Sequence, residues 1–482
     1  MKRQAVNPYL PQGEYIPDGE PYVFDDRVYV YGSHDRFDYP MFCANDYVCY
    51  SAPVNDLSDW RFEGIIYRKK QDPKNRLGLR LLFAPDVAVG ADGRYYLYYA
   101  FDFMGIMGVA VSDKPAGPYE FYGHVHYKDG TIWGRRKGDS FPFDPGVLVD
   151  DDGRIYLYSG FYTSVPGIVT GGKRLKTEGG YVLELESDMV TIKSGEKLLF
   201  PKEGEGSFTG HEFFEASSIR KYNGKYYFVY SSRHNHELCY AVSKHPTEGF
   251  EYKGTLISNG DVFLDRITEE DHARNYVGNN HGGLLKLEDQ YYIFYHRQTN
   301  QNSYSRQACA EKLQKNEKGE FRQAEMTSCG LNEGSLLGEG TYEAWIACNL
   351  WSRSGTGRYD GTNPRKRLKG HPYITQNKKD GDPSARQYIK NMRDGSVAGF
   401  KYFRMDGKTE IVLEIRGNAK GEFWISDTED FREYIRIPVD ITNGESRKVR
   451  GRLTKICGET ALYFQYTGEG AVDFYEFELI RI

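Results

Sequence analysis

The 482-residue chain carries 63 Lys plus Arg against 68 Asp plus Glu, a formal net charge of -5. That near balance argues against a protein that holds nucleic acid or an anionic membrane by bulk charge, and the length corresponds to two or three domains. The composition stands out for 40 Tyr and 53 Gly beside only 5 Trp, which favours strands joined by tight turns.

The first residues, Met1-Lys2-Arg3-Gln4-Ala5-Val6-Asn7-Pro8, contain no apolar segment, so no signal peptide is expected and a cytoplasmic location fits. No apolar run is long enough for a transmembrane helix. The seven cysteines (43, 49, 239, 309, 329, 348, 457) are scattered without a CxxC pair. They read as reduced thiols rather than as a disulfide framework or a zinc site.

From residue 25 onward one pattern recurs five times: a turn of Asp, Asn or Gly, then an aromatic-rich strand. The strands start at Val28, Tyr95, Ile155, Tyr226 and Tyr291, and their marker tyrosines are Tyr29, Tyr96, Tyr156, Tyr227 and Tyr292. The intervals between markers are 67, 60, 71 and 65 residues. Each unit reads as a hairpin with a two-residue turn feeding the Tyr-rich strand. Units of this length suit four-stranded sheets, and five of them arranged radially make a β-propeller that ends near residue 335.

At the front of each repeat stands an ionisable residue. Asp18, Asp86, Asp144, Glu215 and His281 lie ten to twelve residues before their marker tyrosines. In a propeller the starts of the innermost strands converge on the central channel, so these groups meet there. Clustered carboxylates repel one another and lose hydration, which folding alone does not favour. Such a cluster points to an active site. Paired carboxylates without a redox cofactor point to glycoside hydrolysis, one acid protonated and one ionised. Glu215 follows Phe213-Phe214, an apolar setting suited to the protonated acid.

These residues resemble glycoside hydrolase family 43 over about residues 7–335. The motifs, in order, are Asn7-Pro8 with Pro17-Asp18, Phe83-Ala84-Pro85-Asp86, Asp144-Pro145 with Asp150-Asp151-Asp152-Gly153, Glu215-Ala216-Ser217 and Asn280-His281-Gly282. The resemblance implies an inverting enzyme in which Asp18 is the general base, Asp144 orients and tunes the acid, and Glu215 is the general acid. Glu20 is the rival base, because the chain reads Asp18-Gly19-Glu20-Pro21. The resemblance also implies substrate contacts from Arg297, Asp86 and Phe83. No cofactor is expected to be required, but family members often hold a cation, commonly calcium, beside the position of His281. Ser33-His34-Asp35 is contiguous and cannot supply triad geometry. Asp150-Asp151-Asp152-Gly153 reads as a solvated hairpin tip, and Gly204-Glu205-Gly206-Ser207 is no nucleotide loop.

Residues 307–313 and 319–322 read as the last strands of the fifth blade. Beyond Gly338-Glu339-Gly340 the pattern changes to strands at 399–403, 409–415, 461–466 and 472–479, separated by polar turns. A β-sandwich (jelly-roll) over 340–482 follows. It resembles a family 6 carbohydrate-binding module, for which Trp351, Tyr359 and Trp424 are the candidate sugar platforms. The expected fold is therefore all-β, with a propeller over 1–335 followed by this sandwich.

The expected substrates are arabinose- or xylose-containing oligosaccharides cleaved by exo action, with no nucleic acid or membrane partner and no oligomeric state assigned. Endo-arabinanase or exo-galactanase action on the same scaffold is the alternative, as is a non-catalytic carbohydrate-binding propeller. A protein-interaction propeller would show repeats near 40 residues with a Trp-Asp signature, and neither is present.

Overall fold

The computed structural model describes residues 3–168, 170, 172–204, 206–265, 267–359, 368–442 and 444–482. Met1, Lys2 and Glu205 of the segments discussed above lie outside these residues. The architecture is a five-bladed propeller followed by a curved β-sandwich. Blade 1 is Glu20–Phe24, Arg27–Tyr31, Tyr47–Pro53 and Arg61–Tyr67; blade 2 is Asp86–Val89, Tyr95–Ala100, Met107–Ser112 and Glu120–His124. Blade 3 is Gly146–Val149, Ile155–Phe161, Gly179–Leu185 and Ile192–Pro201; blade 4 is Phe213–Tyr222, Lys225–Ser232, Leu238–Ser243 and Glu251–Ile257. All pairings within blades 1 to 4 are antiparallel, and each Tyr-rich segment is the second strand.

Blade 5 differs from expectation. It has three strands, Leu284–Leu287, Gln290–Gln298 and Arg306–Leu313. Residues 319–322 add only a bridge between Lys315 and Phe321. The N-terminal segment lies along Arg306–Leu313 instead: Tyr9 N–H donates to Ala308 O (3.2 Å), Asn7 Nδ2 donates to Ala310 O (3.0 Å), and Ala310 N–H donates to Asn7 Oδ1 (3.0 Å). The start of the chain thereby closes the ring.

The hairpin turns also divide. Blades 1, 4 and 5 have two-residue turns, Asp25-Asp26, Asn223-Gly224 and Glu288-Asp289. In blades 2 and 3 the strand pairing stops at Val89↔Tyr95 and Val149↔Ile155, so the loops are longer. There Asp92 and Asp152 each accept the backbone N–H of the arginine two residues on, and this side-chain bond shapes the wider turn.

The tyrosines have a specific structural use. Tyr31, Tyr98 and Tyr158 occupy the same register in blades 1, 2 and 3, and each donates its hydroxyl to a backbone carbonyl of the following blade. The acceptors are Pro115 O (2.8 Å), Met189 O (2.6 Å) and Pro246 O (2.6 Å), all between the third and fourth strands. A buried tyrosine supplies apolar area but needs a partner for its hydroxyl, and the next blade provides it. The apolar packing lies between blades: Tyr29, Tyr31 and Tyr47 meet Val87, Leu97 and Tyr99, and Val28 and Val30 meet Leu285, Phe294 and Ala310.

In the C-terminal part Ser396–Asp406, Thr409–Ser426 and Cys457–Arg481 form the backbone of the sandwich. Thr409–Ser426 pairs along its length with Cys457–Arg481. The segments 461–466 and 472–479 belong to one 25-residue strand rather than two. Gly468 and Gly470, at φ 144° and 80°, bend that strand without ending it, so it passes through both layers. One apolar cluster, including Phe400, Phe464, Phe474 and Phe477, fills the space between.

Candidate active site

A cavity of about 340 Å³ opens at the channel mouth. Asp18, Asp144, Glu215 and His281 line it with six phenylalanines: Phe42, Phe83, Phe103, Phe143, Phe161 and Phe214. The expected Phe83 is therefore part of the wall, but five more phenylalanines share that role. They come from separate loops and from the ends of strands Ile155–Phe161 and Phe213–Tyr222, and nothing in the sequence spacing joins them.

Backbone pairing explains which ionisable residues reach the cavity. The strand positions opposite the marker tyrosines are Tyr22, Ala88, Leu148, Arg220 and Leu285. Asp18, Asp144 and His281 each precede that position by four residues. Glu215 precedes it by five, because register shifts on both sides of Glu215 insert a bulge. A bulge re-aims a side chain. Asp86 precedes it by only two, so it matches Glu20 rather than Asp18. The longer turn of blade 2 disguises this offset when residues are simply counted.

Two layers result. The upper layer holds the acids of the cavity. Asp18 and Asp144 adopt φ of 59° and 43°, and Ala216, next to Glu215, adopts 70°. Left-handed backbone at non-glycine residues is costly and clusters at functional sites. The lower layer holds Glu20 and Asp86, both fully buried. Arg220 Nη2 donates to Glu20 Oε2 (2.6 Å), and its guanidinium lies 4.1 Å from the Tyr22 ring centre. The Tyr22 hydroxyl, Val87 N–H and Val147 N–H all donate to Asp86. Asp86 is thus consumed beneath the floor and does not line the cavity. Glu20 is likewise engaged below. Gly283 lies in this layer because any Cβ there would come within 2.3 Å of Glu20 Oε2.

Arg297 is also placed elsewhere. It is buried and donates to Ala347 O (2.6 Å), Trp345 O and Gln307 Oε1 (2.9 Å), which ties the propeller to the C-terminal part. Side chains alternate along a strand. His296 meets Asp18, where the Asp18 N–H donates to His296 Nδ1 (3.3 Å), so Arg297 faces the other way. The arginine that reaches the Asp18 carboxyl is Arg306, on the neighbouring strand. Its Nη1 donates to Asp18 Oδ1 (2.9 Å), while Nε and Nη2 grip Asp35 (2.8 and 2.9 Å). Arg306 is 2 % exposed. Nothing beside it in the sequence marks it, because both carboxylate partners come from the start of the chain.

The electrostatics separate the acids. Burial, then the neighbouring Asp18 charge, pushes the Glu215 carboxyl up to about 8, with Arg306 opposing. Asp144 is raised by burial and by Glu215 and Asp18. Its Oδ2 accepts the Ala216 N–H at 3.1 Å, which fixes it beside the Glu215 bulge. Burial raises Asp18 too, but the Arg306 guanidinium favours its ionised form. His281 is held neutral, its pKa lowered by burial to about 3. The arrangement offers two carboxyls whose protons burial helps retain, Glu215 and Asp144, and one held by an arginine, Asp18, in an apolar setting.

Residues 12–321 match the family described as Glycosyl hydrolases family 43. The chain belongs to this family. Family 43 enzymes are glycoside hydrolases, and this chain is one. A protein named Xylosidase/arabinosidase from Thermoclostridium stercorarium is 47% identical over 99% of both chains. A Xylosidase/arabinosidase from Bacteroides ovatus is 30% identical over 60% of this chain and 87% of its own. Among solved structures, a family 43 β-xylosidase/α-arabinofuranosidase from a compost microbial metagenome is 26% identical. It covers 67% of this chain and 98% of its own, with a TM-score of 0.51. An arabinoxylan arabinofuranohydrolase from Bacillus subtilis shares the fold over 99% of this chain and 97% of its own, at 21% identity and a TM-score of 0.52.

A cation beside His281, as the resemblance implies, would need oxygen donors there. His281 Nε2 and Glu20 Oε1 are buried without hydrogen-bond partners and lie 3.8 Å apart. Together they offer one nitrogen and one carboxylate oxygen, and Arg220 already neutralises Glu20. Calcium takes six to eight oxygen ligands, so these side chains do not form a calcium cage.

Proposed function

We propose that the protein is an inverting exo-glycosidase that releases terminal α-L-arabinofuranosyl or β-D-xylosyl residues from hemicellulose oligosaccharides. The observation that carries this reading is that one aromatic cavity holds the buried Glu215 carboxyl, its pKa pushed up to about 8, together with the Asp18 carboxyl, bound by the Arg306 guanidinium at 2.9 Å. Glu215 donates its proton to the glycosidic oxygen as the bond breaks. Asp18, aligned by Arg306, takes a proton from the attacking water. Asp144, through the Ala216 N–H, holds the Glu215 bulge in place, while burial and the Asp18 charge keep the proton on Glu215. The six phenylalanines exclude water and present flat apolar faces to the sugar ring. The cavity lies at the small end of ligand sites, which suits a chain end rather than the middle of a polymer. The similarity to proteins named Xylosidase/arabinosidase supports the choice of pentosides.

The test is a panel of p-nitrophenyl glycosides with the Glu215→Ala variant as control, with the released sugar's anomer followed by NMR. The expected result is turnover of the arabinofuranoside or the xyloside with inverted product. Turnover of neither, or a product of retained configuration, would overturn the reading.

A further inference from the structure

The cavity is not built by the propeller alone. Arg358 and Tyr359, from the C-terminal third, also line it. The segment is pinned to the propeller: Val277 N–H donates to Gly357 O (3.2 Å), Tyr359 N–H donates to Val277 O (3.0 Å), and the Ser303 hydroxyl donates to Tyr359 O (2.7 Å). The Tyr359 ring stacks on Tyr276 at 4.8 Å and 9°. Tyr359, one of the candidate sugar platforms, is 4 % exposed at the cavity edge.

Arg358 is held but not used up. Its Nε and Nη2 engage Glu270, and Nη2 also donates to Asn235 Oδ1 (2.9 Å). Among the described residues its Nη1 makes no hydrogen bond, and the side chain is 31% exposed. It stands beside His236, whose pKa falls to about 4 through burial and then the Arg358 charge. The His236 ring packs edge-on against Phe214 at 4.5 Å, next to the proposed acid Glu215. The guanidinium thus sits on the general-acid side. In an inverting hydrolase the leaving group departs on that side.

We infer that Arg358 binds the hydroxyls of the departing sugar, so that the C-terminal part reads the leaving group while the propeller reads the sugar being released. This rests on the hydrolase reading above. A planar guanidinium already fixed through two nitrogens presents its remaining N–H groups to vicinal hydroxyls with little further ordering. Glu270 supplies that preorganisation.

The experiment compares two substrates of the same released sugar. One is an oligosaccharide, whose leaving group carries hydroxyls; the other is the p-nitrophenyl glycoside, whose leaving group carries none. In Arg358→Ala, kcat/KM on the oligosaccharide should fall at least about tenfold, the loss of one charge-assisted hydrogen bond. The aryl glycoside should stay within about threefold. Arg358→Lys, which keeps charge but loses the fork, should fall between. An equal loss on both substrates, or none on either, would overturn the inference. Wild-type turnover of the aryl glycoside secures the hydrolase reading independently, and wild-type inactivity on both substrates would overturn that reading and this one with it.

Discussion

At the scale of single residues, the chemistry depends on where protons reside. The Glu215 carboxyl, raised to about 8, keeps its proton at neutral pH. Turnover should therefore fall as pH rises through about 8, and Glu215→Gln should abolish that limb. General acid catalysis contributes roughly 10²–10⁴-fold, so kcat on an oligosaccharide should drop by that order. The loss on a p-nitrophenyl glycoside should be smaller, because that leaving group needs less protonation. Stability moves the same way. A carboxyl whose folded pKa exceeds its unfolded value near 4.5 stabilises the fold most below that value. The contribution is lost as pH rises towards about 8. Glutamine carries no such cost, so the Glu215→Gln variant should melt roughly 1–3 °C above wild type at pH 8. An unchanged basic limb in the variant would refute the assignment. The acids themselves were legible because four of the five repeats carry one before the tyrosine strand. Arg306 was not, since nothing local marks it: its partners Asp18 and Asp35 are 288 and 271 residues away.

At the scale of strands, register decides function. Counting residues back from the marker tyrosines placed Asp86 among the cavity acids. Pairing puts it two residues deeper, because hairpin turns differ in length between blades. Turn length is the property a propensity-based reading resolves least well, whereas the repeat of tyrosines survives it. The same alternation rule reassigns Arg297. On the strand Gln290–Gln298 it faces the sandwich, where two backbone carbonyls depend on it. Replacing it with Met removes the donors and leaves those buried acceptors unpaired, at about 1–3 kcal/mol each. Arg297→Met should therefore lower the melting temperature while kcat/KM per folded molecule stays within about twofold. A large rise in KM with unchanged stability would instead place Arg297 on the substrate.

At the scale of the whole molecule, propeller and sandwich share buried polar contacts that neither satisfies alone. The Tyr15 hydroxyl of the propeller donates to Gln376 (2.7 Å) and accepts from Gln387 (2.8 Å), and Gln307 donates to Gln387 (2.9 Å). Lys401 of the sandwich is 1 % exposed and reaches Glu325 (2.6 Å) and the fully buried Asp261 (3.5 Å). Burial raises the Asp261 carboxyl and Lys401 opposes that shift. Such a pair adds little when both partners are present, but removing one strands a buried charge, at about 3–5 kcal/mol. The sandwich also supplies Arg358 and Tyr359 to the cavity, so its docking and the integrity of the site are one event. Calorimetry should therefore show a single unfolding transition for the full chain. Lys401→Met should move that whole transition downward. Two separated transitions, with the variant shifting only one of them, would mean that the sandwich is an independent appendage and that the cavity survives its unfolding.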